Sequence, residues 1–435
     1  MKSIKRAIAK LRGKSTKNTT NGTANGATNG TAKEASSAPA PTLVRKQQQQ
    51  QQQGQQVLAA NTPGTLQLAL QNRTNSSNVF AYITGLSLND GNRPIFIQAD
   101  GRTVYSPPSP NQPLASVAAD VAIPLGAPGN TVTATIPKIA GGRIWFVIDA
   151  RLTFFVNPGP NIVNPSVTNP SDPNYNLNWT FAEFTYNDQQ LFANISYVDF
   201  ISIPVALTLN TTNSGTLSVP GMGPDGFQRV VNEMRAQTAR DGKPWDQLIY
   251  APNGNPLRVL NPTNLLATNG NAWSNYWDGY VTAVWNKYRN EDMTINTQAA
   301  AGNLTGRVVG NVLQLGAAGS FSPPSSSDIF SCSTGPFQTG QSLARDGVIP
   351  RLAAAFNRSQ LLNTPGNQFP NGGNPSMYYQ DVTTNHYSRA VHAVQKDGRG
   401  YAFPYDDVVP DGGQDVAGTL HAGDATLFTI AVGGN

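Results

Sequence analysis

The sequence predicts a mainly β chain, a sandwich or barrel of strands, with a mixed α/β part set into it. Runs of strand length, rich in Val, Ile, Thr, Phe and Tyr, follow one another up to about residue 220 and are separated by Asn, Gly, Asp and Pro turns. The 435 residues include 41 Gly and 32 Pro but only 13% charged residues, a balance suited to strands, turns and long loops. Apolar residues at helical spacing begin only after Pro220, so the chain does not alternate strand and helix from its start as a βαβ fold would.

Residues 1–60 hold Asn/Thr/Gly repeats, an Ala/Pro/Ser stretch and a nearly pure Gln run from Gln47 to Gln56, which together cannot build a core and read as a disordered tail. The first residues, MKSIKRAIAKLRGK, are basic without the apolar region of a signal peptide; they form an inert tail or a weak amphipathic helix. A β-rich domain follows over 61–220. TLQLALQN, NVFAYITGLS, RPIFIQAD and TVTATIPKI read as strands, and GRIWFVIDARLTFFVN as a long apolar run whose Asp149 and Arg151 mark an edge, a bulge or a strand end. A mixed α/β domain spans 221–375. Its helices are expected over 225–242, over 273–291 with a stripe from Trp273 to Tyr288, and over 351–362 after an interruption at Pro350. Residues 376–435 return to the β-rich body, with strands expected from Tyr387 to Val432.

Charge and cysteine content narrow the function classes. Residues 1–46 carry +9 of the formal charge, so the +5 total leaves −4 for the rest of the chain. A slightly acidic body lacks the basic footprint of a nucleic-acid binder and suits a neutral ligand such as a polysaccharide. Cys332 is the one cysteine, which rules out an intrachain disulfide and reads as a buried small residue. No apolar run reaches the 18 or so residues of a transmembrane helix. His386, His392 and His421 lack metal-ligand spacing, and neither a dinucleotide fingerprint nor a P-loop is present, so no metal or cofactor is expected.

Chemistry concentrates in 179–207, WTFAEFTYNDQQLFANISYVDFISIPVAL. A hairpin centred near Leu191 would set Glu183 opposite Asp199, with Cβ atoms about 5 Å apart, or about 7–8 Å in a diagonal register. Two carboxylates so placed can do acid/base work on an acetal; two solvated or salt-bridged surface carboxylates are the alternative. Thr185 and Asn187 would share the Glu183 face, to bind sugar hydroxyls or to serve the ladder. Phe192 at the hairpin tip is a candidate stacking ring, with Trp179 and Tyr197 as weaker platforms. Asp406 and Asp407 in GYAFPYDDVV point different ways; one of them, with Asp406 preferred, can face a cleft.

Several stretches together resemble the β-1,3-glucanases of glycoside hydrolase family 64: RIWFVIDARLTFFVNPGP, EFTYN, ISYVDFISIPVAL, YWDGYVTAVWNKYRN, FSCSTGPF, ARDGVIPRLAAAFNRS, GRGYAFPYDDV and LFTIAVGG, in family order from about residue 64 onward. The resemblance implies a thaumatin-like β-sandwich or barrel domain beside a mixed α/β domain, with a cleft between. It implies endo-cleavage of β-1,3-glucan with inversion and release of short oligosaccharides, with Glu183 of EFTYN as general acid and Asp199 of SYVDF as general base. It further implies a monomer that is extracellular or wall-associated. A glucan-binding protein of the same fold with little hydrolysis is the alternative. Sequons at Asn178 and Asn194 lie beside the expected cleft, where a glycan would crowd it.

Overall fold

The computed structural model describes residues 62–434, all within one compact unit, so the expectations for the Gln-rich tail lie outside the described residues. The main strands in chain order are β1 (Thr65–Asn72), β2 (Val79–Ser87), β3 (Arg93–Ile97), β4 (Thr131–Pro137), β5 (Ile139–Ile148), β6 (Asn178–Tyr186), β7 (Leu191–Asn194), β8 (Phe200–Ile201), β9 (Val205–Thr211), β10 (Thr216–Val219), β11 (Arg258–Leu260), β12 (Thr419–Ala422) and β13 (Ala425–Val432). The helices are α1 (Gly226–Asp241), α2 (Pro262–Thr268), α3 (Asp278–Asn290), α4 (Ser326–Ser331), α5 (Leu343–Asn357) and α6 (His386–Val394).

One sheet runs β10-β9-β13-β1-β4, and a larger one runs β12-β7-β6-β5-β2-β3 with short strands at its margin. None of the sheets closes into a barrel among the described residues. The C-terminal β13 lies parallel to β1 and antiparallel to β9, so the chain's end completes the sheet that its first strand began. β6 is buried at every position from Trp179 to Tyr186, which explains why its sequence lacks a clean apolar/polar alternation. Across from it, Gly142 of β5 leaves room for a ring: a Cβ there would sit 2.5 Å from Phe184.

The long apolar run breaks where its charges predicted a strand end. β5 stops at Ile148, and Asp149 takes φ 59° before the chain resumes as a short strand at Phe155. Helix α1 forms where the spacing predicted it; α3 starts at Asp278 and not at 273, so Trp273 and Trp277 precede it in turns, yet they are buried in the core with Tyr280, Trp285 and Tyr288.

Two expectations are corrected. Helix α5 runs through Pro350 and ends at Asn357, rather than starting after the proline and reaching 362. Pro350 cannot donate to the Asp346 carbonyl, but the helix is buried on almost all sides from Val348 to Asn357, and tertiary packing overrides the lost bond. The segment from Tyr387 is not strand at first: His386–Val394 is helix α6, capped by the Asn385 side chain accepting from Ser388 N–H. Strands return only at β12.

Candidate active site

Glu183 sits in the middle of β6, 7% exposed, and the ladder places Arg143 of β5 directly across on one side and Asn194 of β7 on the other. Arg143 donates to Glu183 Oε1 from Nε (3.2 Å), and its Nη2 lies 3.1 Å from the same oxygen in an ion pair. The arginine lies over two rings of the same sheet, with its guanidinium carbon 4.8 Å from the Phe181 centroid and 5.3 Å from that of Trp145. Those rings flank it and hold the guanidinium in the plane where it meets Glu183. Both contacts go to one oxygen, and no hydrogen bond from a described residue to Oε2 is present.

The hairpin register is a correction. Tyr186 pairs with Leu191 and Glu183 with Asn194, so the turn is centred between Asp188 and Gln189 and not near Leu191. Asp199 is therefore not across the ladder from Glu183. It lies beyond the end of β7, immediately before β8, and reaches the site through contacts distant in sequence. The backbone carbonyl of Asp199 accepts from Asn261 N–H (2.9 Å) and Asn264 Nδ2 (2.7 Å) at the start of α2. Upstream, Tyr197 N–H donates to the Tyr401 carbonyl (2.8 Å) and the Tyr387 hydroxyl donates to the Tyr197 carbonyl (2.7 Å). The carboxyl so delivered is half-buried and feels both members of the other pair. Burial pushes it above the ordinary aspartate range, Arg143 pulls it down, and the like charge of Glu183 pushes it up. Asp199 is thus linked to Glu183 and Arg143 by the charges that act on it and not by the hairpin ladder.

The remaining candidates divide. Phe192 pairs with Thr185 and lies on the Glu183 face with its ring half-buried, a position open to stacking. Thr185 is on that face too, but its hydroxyl accepts from Gly141 N–H (3.4 Å) where β5 bulges, which is the ladder role. Asn187 belongs to the turn: its side-chain oxygen accepts from the N–H groups of Gln189 and Gln190 at 2.9 Å each. Trp179 and Tyr197 are not platforms. Each is 2% exposed; Trp179 packs edge-on against Phe200 and donates to the Asn174 carbonyl, and the Tyr197 hydroxyl faces Gln395. Strand alternation gives a side chain's face, and here that face is covered.

Asp406 is also corrected. It is fully buried, with Arg358 Nη2 donating to Oδ1 (2.9 Å), and His392 Nε2 (2.8 Å) and Ala402 N–H (3.0 Å) meeting Oδ2. Burial alone would raise its pKa; His392 and Arg358 carry it below the ordinary range. Its link to the site is indirect, because the Ala402 carbonyl accepts from Asn261 Nδ2 (3.1 Å), the residue whose N–H holds Asp199. Asp407 is half-exposed with a buried, unpartnered Oδ1, and burial raises its pKa.

Sequence reasoning missed Arg143 and Asn194. Arg143 was legible as the one charge within the apolar run GRIWFVI; Asn194 registered only as a sequon, and at 5% exposure it is no glycan acceptor. Among the described residues no group of histidines, cysteines and carboxylates has the arrangement of a metal site, and no helix is long and apolar enough to cross a membrane.

Comparison with known proteins matches residues 64–432 to the β-1,3-glucanase family, glycoside hydrolase family 64. The chain is 30% identical over 359 residues to a glucan endo-1,3-beta-glucosidase of Cellulosimicrobium cellulans and 29% identical to one of Arthrobacter sp. (strain YCWD3). Each alignment covers 80% of this chain and 62% of the relative, so the chain spans under two thirds of the relatives' length. A laminaripentaose-producing β-1,3-glucanase solved with laminaritetraose superposes with a TM-score of 0.75 at 31% identity, covering 85% of this chain and 99% of that one. A GH64 β-1,3-glucanase domain from Clostridium beijerinckii shares the fold at a TM-score of 0.66 and 22% identity, covering 86% of this chain and 99% of that one.

Proposed function

The chain belongs to the β-1,3-glucanases of glycoside hydrolase family 64, and from that premise we propose that it is an endo-acting hydrolase of β-1,3-glucan working by inversion through Glu183 and Asp199. What supports the proposal is the Arg143–Glu183 ion pair on one face of the large sheet, together with the burial and the Arg143 and Glu183 charges that act on the Asp199 carboxyl.

The chemistry asks different things of each carboxyl. The glucosidic oxygen must be protonated as the C1–O bond breaks, and a water must lose a proton as it attacks C1 from the opposite face. Glu183 is the proton donor: Arg143 occupies Oε1, so Oε2 is the oxygen left to carry the proton. Asp199 is the base. Its raised pKa makes the ionised form a stronger proton acceptor than an ordinary aspartate, at the cost of needing a higher pH to ionise. Inversion calls for carboxyls about 6.5–9.5 Å apart to leave room for the water. The thaumatin-like β-body beside the helix-bearing segment would form the cleft, with Phe192 a stacking surface on the Glu183 side. The protein works as a monomer outside the cell or at a wall, where such polysaccharides lie.

The experiment is hydrolysis of a linear β-1,3-glucan by wild type and by Glu183→Gln and Asp199→Asn. The wild type should release short oligosaccharides whose first-formed anomer is α, and each variant should lose at least about 10³-fold in rate. A wild type that binds the glucan and releases no reducing ends would identify the glucan-binding alternative instead.

A further inference from the structure

Among the described residues, Asn194 sits directly across the ladder from Glu183 with its Nδ2 unbonded. The ladder sets it between Glu183 of β6 and Thr419 of β12, so the three side chains share a face. It is 5% exposed, and its Nδ2 is buried without a hydrogen-bond partner. Its polar neighbours on that face are engaged: Arg143 with Glu183, Thr84 with the Trp145 indole N–H, Thr185 with Gly141. A buried amide donor without an acceptor costs stability, and a neighbouring group whose charge changes during a reaction can become its acceptor. Glu183 is that group. Cross-strand neighbours have Cβ atoms about 5 Å apart, so rotation of the Asn194 side chain brings Nδ2 to the carboxyl.

We propose that Asn194 is a positioning residue for the proton donor, its Nδ2–H reserved for Glu183 Oε2 once that oxygen has given up its proton. The proposal rests on the reading of Glu183 as general acid. In the step concerned, the proton passes from Oε2 to the glucosidic oxygen, whose bond to C1 breaks. The water oxygen bonds to C1 and gives its proton to Asp199. Glu183, neutral before the step, is a carboxylate after it. Arg143 already serves Oε1, and among the described residues Asn194 is the unbonded donor that the ladder places beside the newly charged carboxylate. A hydrogen bond formed only as that charge develops favours the transition state over the bound substrate, and so acts on kcat and not on KM.

The test compares two substrates that differ in their need for protonation. Linear β-1,3-glucan has a sugar leaving group that must be protonated; β-laminaribiosyl fluoride has one that leaves unaided. Asn194→Leu removes the donor. Asn194→Ala removes it with less bulk and no new charge, so it remains informative where the leucine disturbs packing. Each variant should lower kcat on the glucan about 10- to 100-fold with KM unchanged, and should hydrolyse the fluoride within about threefold of wild type. Equal losses on both substrates, or no loss on the glucan, would overturn the proposal. Glu183→Gln run on the same pair separates the underlying reading from this one. Wild-type hydrolysis of glucan by Glu183→Gln would remove the general acid itself. Loss of glucan hydrolysis in Glu183→Gln with none in either Asn194 variant would remove only the role of Asn194.

Discussion

Two arginine–carboxylate pairs lie inside this molecule, and they differ in how completely each carboxylate is bonded. In Arg358–Asp406 the side chains are 1% and 0% exposed, and donors from Arg358, His392 and Ala402 meet both carboxylate oxygens. Arg358 also donates to the Asp406 carbonyl (2.7 Å) and the Val408 carbonyl (2.5 Å), fastening the end of α5 to the 401–408 loop. In Arg143–Glu183 the exposures are 15% and 8%, and the arginine meets one oxygen only. A carboxylate with donors on both oxygens is held in charge and place. One with an oxygen left open has a site at which a ligand can bond. An arginine partner does not by itself mark a carboxylate as structural or chemical; the count of its donors does.

The largest contrast comes from removing each carboxylate's charge. Asp406→Asn leaves the Arg358 guanidinium buried without its counter-ion, and should lower unfolding free energy by about 3–5 kcal/mol in urea titration. Glu183→Gln keeps a carboxamide oxygen beside Arg143, whose side chain is 15% exposed against 1% for Arg358, and should cost less stability than Asp406→Asn while hydrolysis of glucan is lost. A stability loss as large for Glu183→Gln as for Asp406→Asn would erase the distinction.

The closed pair also has a pH signature. Burial alone would lower the His392 pKa, but the Asp406 carboxylate and its hydrogen bond carry it above the ordinary 6.5. A raised histidine contributes stability that is full below 6.5 and lost as pH rises through its folded value. Asp406 is held below 3.8, so its contribution is present above 3.8 and lost as pH falls through its folded value. The stability difference between wild type and His392→Asn should therefore peak between these limits, at about 1–3 kcal/mol, and shrink on both sides. Chemical denaturation from pH 3 to pH 9 reads it directly, and a flat difference would deny the pair its charge.

How much of this was legible in the sequence depends on the range of the contacts. Glu183 and Asp199 stood out as carboxyls in strand-like apolar surroundings. Their partnership was assigned to a hairpin whose centre was misplaced, because Asn187 closes the turn with its side chain and pairs Tyr186 with Leu191. What brings Asp199 to the site is Asn261 and Asn264, more than sixty residues on, and no local pattern announces such a contact. The same holds for Asp406, whose ion-pair partner Arg358 ends a helix 48 residues earlier. Helix α6 is different. Tyr387, Ala390, Val391 and Val394 are all buried at helical spacing behind an Asn385 cap, a signal present in the sequence and passed over for the strands that follow it.

The open pair should respond to its arginine in a way that tells base from acid. Arg143 holds the Asp199 pKa down against burial and against Glu183. Arg143→Gln removes that restraint, so Asp199 should ionise at a higher pH than in wild type. With Asp199 as the base, the acidic limb of kcat/KM moves up, by on the order of one pH unit, and activity at its old midpoint falls up to about tenfold. An acidic limb that stays in place would deny Asp199 the role of base.

The smallest expected effect sharpens the contrast at the level of the rings. Trp179 and Phe192 come from the same hairpin, and both were candidates to stack on a sugar. Trp179 is enclosed by Trp145, Phe181 and Phe200, and its indole N–H donates to the Asn174 carbonyl. Phe192 lies between Thr185 and His421 with part of its ring accessible, on the face that carries Glu183. Stacking on an aromatic face contributes about 0.5–1.5 kcal/mol, so Phe192→Ala should raise KM for linear glucan about two- to tenfold, with kcat and the unfolding midpoint little changed. Trp179→Phe should do the reverse, lowering the midpoint by loss of core contacts and of a buried hydrogen bond while KM holds. Steady-state kinetics and thermal unfolding of the two variants side by side decide it. A fall in stability for Phe192→Ala with KM unchanged would make both rings parts of one core.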